Sequence, residues 1–187
     1  MKVIDNFLGD YQFEMLRALM MGFDFPWYFN DRILHPTHDN YDEDLYQFTH
    51  GFYLNNGEKV SEFFQHLEYC ILKLKAKHLI RVKANLTSGT LFHQGGGYHC
   101  DYDNKTFDDP LNTAILYINT NNGFTKFKKG GKVKAVENRL VIFDFDQEHQ
   151  GFTCTNEKRK IVINFNYVPS DDDTGMALRV KPLPYGG

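Results

Sequence analysis

Apolar positions recur along this chain at two different periods, and the change falls near residue 79. In "DYQFEMLRALMMG", Phe13, Leu16 and Met20 share one helical face, and Gly22 supplies a stop. This predicts a helix over 10–21. In "VSEFFQHLEYCILKLKAKH", Val60, Phe63, Phe64, Leu67, Ile71 and Leu74 recur at steps of mainly three and four, predicting a second helix over 58–77. Residues 23–57 lie between. They hold Pro26 and Pro36, carry no helical period, and read as loop plus one or two strands near Leu45 to Tyr53. From Leu79 the pattern alternates: "LIRVKANL", "TAILYIN", "KVKAV", "RLVIFDF" and "KIVINFNYV" are strand candidates, with turn signals such as "NNG" and "KGG" separating several. Two helices followed by many short strands predict an α+β, mainly β fold. Its jelly-roll core would run over about 79–168, with both helices supporting one sheet. Residues 169–187 read as a loosely ordered tail.

Composition narrows this picture. A chain of 187 residues is the length of one domain, 1–187, and can bury a core without disulfides. Three cysteines with no CxxC spacing suit reduced thiols and a cytoplasmic setting. The formal net charge of −3, with no long basic run, disfavours a nucleic-acid partner. "MKVIDNFLGD" lacks the apolar run of a signal peptide, and no segment approaches a membrane span. The aromatic content of 16% fits strands and pocket walls.

Candidate chemistry centres on "GYHCD". In an extended strand His99 and Asp101 point one way and Cys100 the other. Such a pair can hold a metal, share a proton, or face water. His149 follows the buried-looking "LVIFDF" after a short polar turn, where a scaffold positions functional side chains. His-x-Asp with a distal histidine is the set that leaves open positions on non-haem Fe(II), and it also suits zinc. His35, His38, His50, His66, His78 and His93 read as ordinary surface or core histidines. Further on, Arg159, Ile161, Ile163 and Phe165 share a strand face. If this apolar set faces the pocket, Arg159 faces an anion, whose carboxylate its planar fork would fit. The alternative turns Lys160, Val162 and Asn164 inward. Thr113, Ile115 and Tyr117 share another face, which would set a phenol beside the arginine.

Together "RVKANL", "YHCD", "TAILYINTNNGFTKF", "NRLVIFDFDQEHQG" and "RKIVINFNY" resemble the Fe(II)- and 2-oxoglutarate-dependent oxygenases, in the prolyl 4-hydroxylase-like branch. With "FPWYF" and "QFTHGFY" the chain looks closest to small phage-encoded members, which would place it in a host cytoplasm. It departs at "GFT", where many relatives have Gly-Gly-Thr, and in the arginine's offset from the distal histidine. The resemblance implies a cupin-like double-stranded β-helix in which His99, Asp101 and His149 bind Fe(II) and serve catalysis. It implies 2-oxoglutarate as cosubstrate, dioxygen, and ascorbate to keep the iron reduced. Arg159 would meet the far carboxylate with Tyr117 beside it, Thr113 and Thr125 in support, and Asn85 reaching the near carboxylate. The implied reaction hydroxylates a C–H bond, foremost a prolyl residue of a peptide or protein, releasing succinate and CO2. A small-molecule substrate is the alternative, and residues 23–57 could form a lid or peptide groove. A nucleic-acid demethylase of the same superfamily would carry a further arginine where this strand continues "VINFNY". A non-catalytic metal-binding jelly-roll and a zinc hydrolase complete the alternatives.

Overall fold

The computed structural model describes residues 1–33, 45–54, 57–101 and 111–170. After a short strand β1 (Lys2–Ile4), α1 spans Asp10–Met21 and buries Phe13, Leu16 and Met20, as the spacing predicts. The second helical stretch is shorter than its periodicity suggests. A 3-10 turn, Glu62–Leu67, leads into α2, Glu68–Leu74. Ser61 caps the turn by accepting the Phe63 N–H. Lys75 then adopts a left-handed φ of 51°, and the chain enters strand β4 at Ala76. The expectation of helix to residue 77 is corrected here, because Ala76, His78 and Leu79 pair with the last strand. Tertiary pairing outweighs a local helical preference worth tenths of a kcal/mol per residue (about 0–0.7).

The remaining strands are β2 (Tyr28–Asn30), β3 (Gln47–Tyr53), β4 (Ala76–Ser88), β5 (Asn112–Tyr117), β6 (Phe124–Phe127), β7 (Lys132–Lys134), β8 (Leu140–Asp144), β9 (His149–Phe152) and β10 (Arg159–Pro169). They form a large sheet ordered β1-β8-β5-β10-β4-β3-β2 and a small one ordered β7-β6-β9. Residues 95–99 lie along β9 through bridges at Gly95–Phe152 and His99–His149, extending the small sheet. In chain order, β4, β5, β8 and β10 join the large sheet, while residues 95–99, β6, β7 and β9 join the small one. That interleaving of antiparallel strands is a jelly-roll, the double-stranded β-helix. The first third of the chain also adds β1, β2 and β3 to the large sheet.

The large sheet has two apolar sides. Its outer face packs under α1 and α2 with Val82, Ala84, Leu116, Ile161, Ile163 and Phe165 in one core. Its inner face meets the small sheet through Ile115, Tyr117, Phe127, Val141 and Phe143. Among the described residues no helix is long and apolar enough to cross a membrane. The expected tail lies outside the described residues from 171 on, as do residues 34–44 and 55–56 of the expected lid and the histidines His35 and His38.

Candidate functional site

His99 and His149 face each other across the small sheet. Each donates its backbone N–H to the other's carbonyl at 3.0 Å, and their rings lie 4.8 Å apart. Asp101, two residues beyond His99, brings its carboxylate to the same point. One ligand atom from each of His99, Asp101 and His149 lies within 4.8 Å of the others. Two bonds of about 2.1 Å span at most about 4.2 Å, so small side-chain rotations close the set on one ion.

The surroundings fit a metal. His99 Nδ1 lies 3.0 Å from the Gly97 carbonyl, and His149 Nδ1 lies 3.0 Å from the Gln147 carbonyl. A carbonyl can only accept, so each Nδ1 carries the ring proton and each Nε2 carries the lone pair a metal requires. Asp101 Oδ2 accepts from Asn166 Nδ2 at 2.8 Å and Thr113 Oγ1 at 3.0 Å, while an Arg81 nitrogen stands 3.5 Å from Oδ1. Burial alone would raise the Asp101 carboxyl. His149, Arg81, His99 and the Asn166 hydrogen bond together hold it below the usual carboxylate range. An anionic Asp101 with two imidazoles and open positions is the 2-His-1-carboxylate set suited to non-haem Fe(II).

A cavity of about 230 Å³ adjoins this cluster. It lies below the ~300–1,000 Å³ of drug-sized pockets and suits a small molecule. Lys160, Val162 and Asn164 of β10 line it, with Arg81, Lys83 and Asn85 of β4 beside them. Lys160 is 5% exposed, and its Nζ donates to the Phe152 carbonyl. Burial pushes its pKa down to about 8. Lys83 is likewise pushed down to about 8, by burial and the Arg81 charge, against the pull of Asp101. Asn85 Oδ1, Thr87 Oγ1 and Asn164 Oδ1 are buried with no hydrogen-bond partner. Such atoms cost free energy unless a ligand or water satisfies them, so this wall is built to receive something polar.

Three sequence-level placements change. Arg159 does not enter the cavity. Its guanidinium donates to the Met21 carbonyl at 2.9 Å, at the end of α1. The apolar set Ile161, Ile163 and Phe165 faces the helices, so the arginine that leads it does too. The inward cation is its neighbour, Lys160. Tyr117 is fully buried inside the barrel and reaches the cavity only through Thr125, donating to its Oγ1 at 2.7 Å. Thr113 supports Asp101 instead of lining the cavity. Asn85 does line it, on the face it shares with Arg81 and Lys83. Lys160 was legible in the strand's alternation once the faces were assigned the other way. Asn166 carried no signal in the sequence.

No protein-family model and no curated protein sequence matches the chain. Solved structures do. An oxidoreductase of the 2OG-Fe(II) oxygenase family from Burkholderia pseudomallei superposes with a TM-score of 0.59 at 11% identity, over 88% of this chain and 84% of that one. A prolyl-4-hydroxylase from Pseudomonas putida gives 0.56 at 14% identity, over 90% and 92%. The fold is that of the 2-oxoglutarate and Fe(II) oxygenases. A prolyl hydroxylase from Trichoplax adhaerens, solved with a peptide fragment of the hypoxia inducible factor oxygen degradation domain, gives 0.55 at 14% identity, over 89% and 82%.

Proposed function

We propose that this protein is an Fe(II)- and 2-oxoglutarate-dependent dioxygenase that hydroxylates a prolyl residue of a peptide or protein. The convergence of His99, Asp101 and His149 beside a cavity with a buried lysine carries this reading. When bound, iron with 2-oxoglutarate and dioxygen supplies the oxidising chemistry, which yields succinate, CO2 and a hydroxylated C–H bond.

The chain's own contribution is position and charge. His99 Nε2, His149 Nε2 and the Asp101 carboxylate hold the metal, with Thr113 and Asn166 fixing the carboxylate's orientation. Lys160 receives the far carboxylate of the cosubstrate. A Cβ placed on Gly151 would lie 3.5 Å from Lys160 Nζ, so the ammonium stands against β9 at that level. Gly151 is two residues past His149, about 7 Å along a strand that rises about 3.3 Å per residue. A five-carbon dicarboxylate reaches from the metal to such a cation. Thr125, backed by Tyr117, and Asn85 supply hydrogen bonds along the wall. The prolyl and peptide assignment draws on the likeness to the two prolyl hydroxylases, one of them solved with a peptide.

The test is to load the protein anaerobically with Fe(II) and 2-oxoglutarate, admit oxygen, and measure succinate. Succinate should require both additions and vanish in His149→Ala. A protein that binds metal yet leaves 2-oxoglutarate intact would overturn the reading.

A further inference from the structure

The inward placement of Lys160 depends on the turn that follows β5. Strand β5 pairs with β10 as far as Tyr117, opposite Val162, and then leaves the large sheet. It leaves because the chain crosses to the small sheet and enters β6 at Phe124. β10 nevertheless extends past that pair to Ile161, Lys160 and Arg159. On the edge that β5 has vacated, the buried backbone groups of these residues need other partners, since unpaired ones are costly.

The Ile118 N–H bonds the Ile161 carbonyl at 3.0 Å, and Asn119 supplies the rest. Its side-chain Oδ1 accepts from the Ile161 N–H at 3.0 Å, and its Nδ2 donates to the Arg159 carbonyl at 2.9 Å. A carboxamide carries the same kinds of donor and acceptor as a peptide unit, so Asn119 stands in for the next residue of β5. The two bonds fall on the residues before and after Lys160. Asn119 is 7% exposed, so bulk water is not there to replace it. A one-residue slip in a strand exchanges its faces. Here it would turn Arg159 into the barrel and Lys160 out of it. The amide of Asn119 opposes that slip, because it fits a carbonyl and an N–H two residues apart on one edge.

The same turn shapes the space that the lysine fills. A Cβ on Gly123 would lie 3.0 Å from Lys160 Cδ, 3.0 Å from the Phe152 carbonyl oxygen and 2.7 Å from Asn121 Oδ1. The glycine is there for room. The stem of Lys160 passes against it before Nζ reaches the Phe152 carbonyl. Asn121 fixes the turn, accepting the Gly123 N–H at 2.9 Å and donating to the Asn119 carbonyl at 3.0 Å.

We propose that Asn119 is the positioning residue of the cosubstrate site: its amide locks the face of β10 that delivers Lys160, and Gly123 leaves the slot through which the ammonium reaches the level of Gly151. This rests on the reading of Lys160 as the cosubstrate anchor and deepens it.

A double-mutant cycle tests the coupling. The Fe(II)-loaded protein is titrated anaerobically with 2-oxoglutarate as the native chain, Asn119→Ala, Lys160→Met and the two combined. Asn119→Ala should weaken cosubstrate binding by about tenfold, part of what a charge-assisted contact is worth. In the Lys160→Met background it should change nothing further. Equal weakening in both backgrounds would mark a purely structural asparagine and overturn the proposal. Asn119→Asp keeps the shape and the Oδ1 acceptor but not the donor. It should show the same dependence on Lys160, and it carries the test if the alanine variant does not fold. Gly123→Ala should follow the same pattern, and an equal loss in both backgrounds would remove the slot from the proposal. A second readout needs no cosubstrate: the pH profile of Lys160 acetylation, followed by mass spectrometry. Its midpoint should lie near pH 8 in the native chain. In Asn119→Ala it should rise toward the ~10.4 of an ordinary lysine as the stem leaves its slot. An unmoved midpoint overturns the proposal. If Lys160→Met alone leaves 2-oxoglutarate affinity intact, the cosubstrate reading fails, and the acetylation profile still decides whether Asn119 positions Lys160.

Discussion

The two faces of β10 carry opposite chemistry on one backbone. Toward the helices it presents Ile161, Ile163 and Phe165, all fully buried in the larger core. Toward the barrel it presents Lys160, Val162, Asn164 and Asn166, where a buried ammonium, an unpartnered amide oxygen and a partner of Asp101 follow in register. The more apolar face is therefore not the one around the site. A jelly-roll with helices on its back has two interiors. The outer one excludes water and holds the sheet to the helices. The inner one is part core, through Tyr117, Phe127 and Phe143, and part binding cavity. Reading the apolar face as the pocket face is the step that sends Arg159 to the wrong side.

The strongest test of this contrast removes the carboxylate that the barrel face supports through Asn166. Asp101→Ala should weaken Fe(II) binding by more than the ~10–100-fold typical of losing an outer-shell partner. Anaerobic titration with Fe(II) measures it, and near-native affinity would remove Asp101 from the ligand set. Next comes Ile163→Ala, which opens a void under the helices and should cost about 2–5 kcal/mol in denaturant unfolding. Asn164→Ala, its neighbour on the other face, should cost less than about 1 kcal/mol because its oxygen has no partner to lose. Equal losses would mean that the two faces do not differ in kind.

The cations sharpen the comparison further. Lys160→Ala should weaken 2-oxoglutarate binding by roughly ten- to a hundredfold, the worth of a charge-assisted contact. Arg159→Ala should leave that affinity within about twofold and lower stability by about 1 kcal/mol through its contact with Met21. The opposite ranking by calorimetry would restore Arg159 as the anchor. The pH dependence gives the finest distinction. The folded pKa of Lys160 is about 8, below the ~10.4 of an ordinary lysine. Between those values the unfolded chain keeps a proton that the folded chain has released, so stability without cosubstrate rises with pH across that window. Affinity for 2-oxoglutarate moves the other way. It should fall by about tenfold per pH unit above 8 as the ammonium is lost, while in Lys160→Arg the fall should be shallower, leaving only what the loss of the Lys83 charge contributes over the same range.

The sequence by itself determined α1, several of the strands and the three members of the His99–Asp101–His149 cluster. The three- and four-residue spacing of Phe13, Leu16 and Met20 fixed α1, and alternation fixed β5, β8 and β10, because those periods follow from backbone geometry alone. His99 and Asp101 were legible because two residues apart on a strand means one face. Other features depended on partners distant in the chain. α2 ends at Leu74 because Ala76 pairs with Pro169, and no helical period in "LKLKAKH" contains that information. Asn166 joins the site only because β10 and β5 bring it to Asp101 alongside Thr113. Whether Arg159 or Lys160 faces the cavity was decided by which side of the large sheet the helices cover. Alternation separates two faces of a strand but does not label them, and that label comes from what packs against each face in three dimensions.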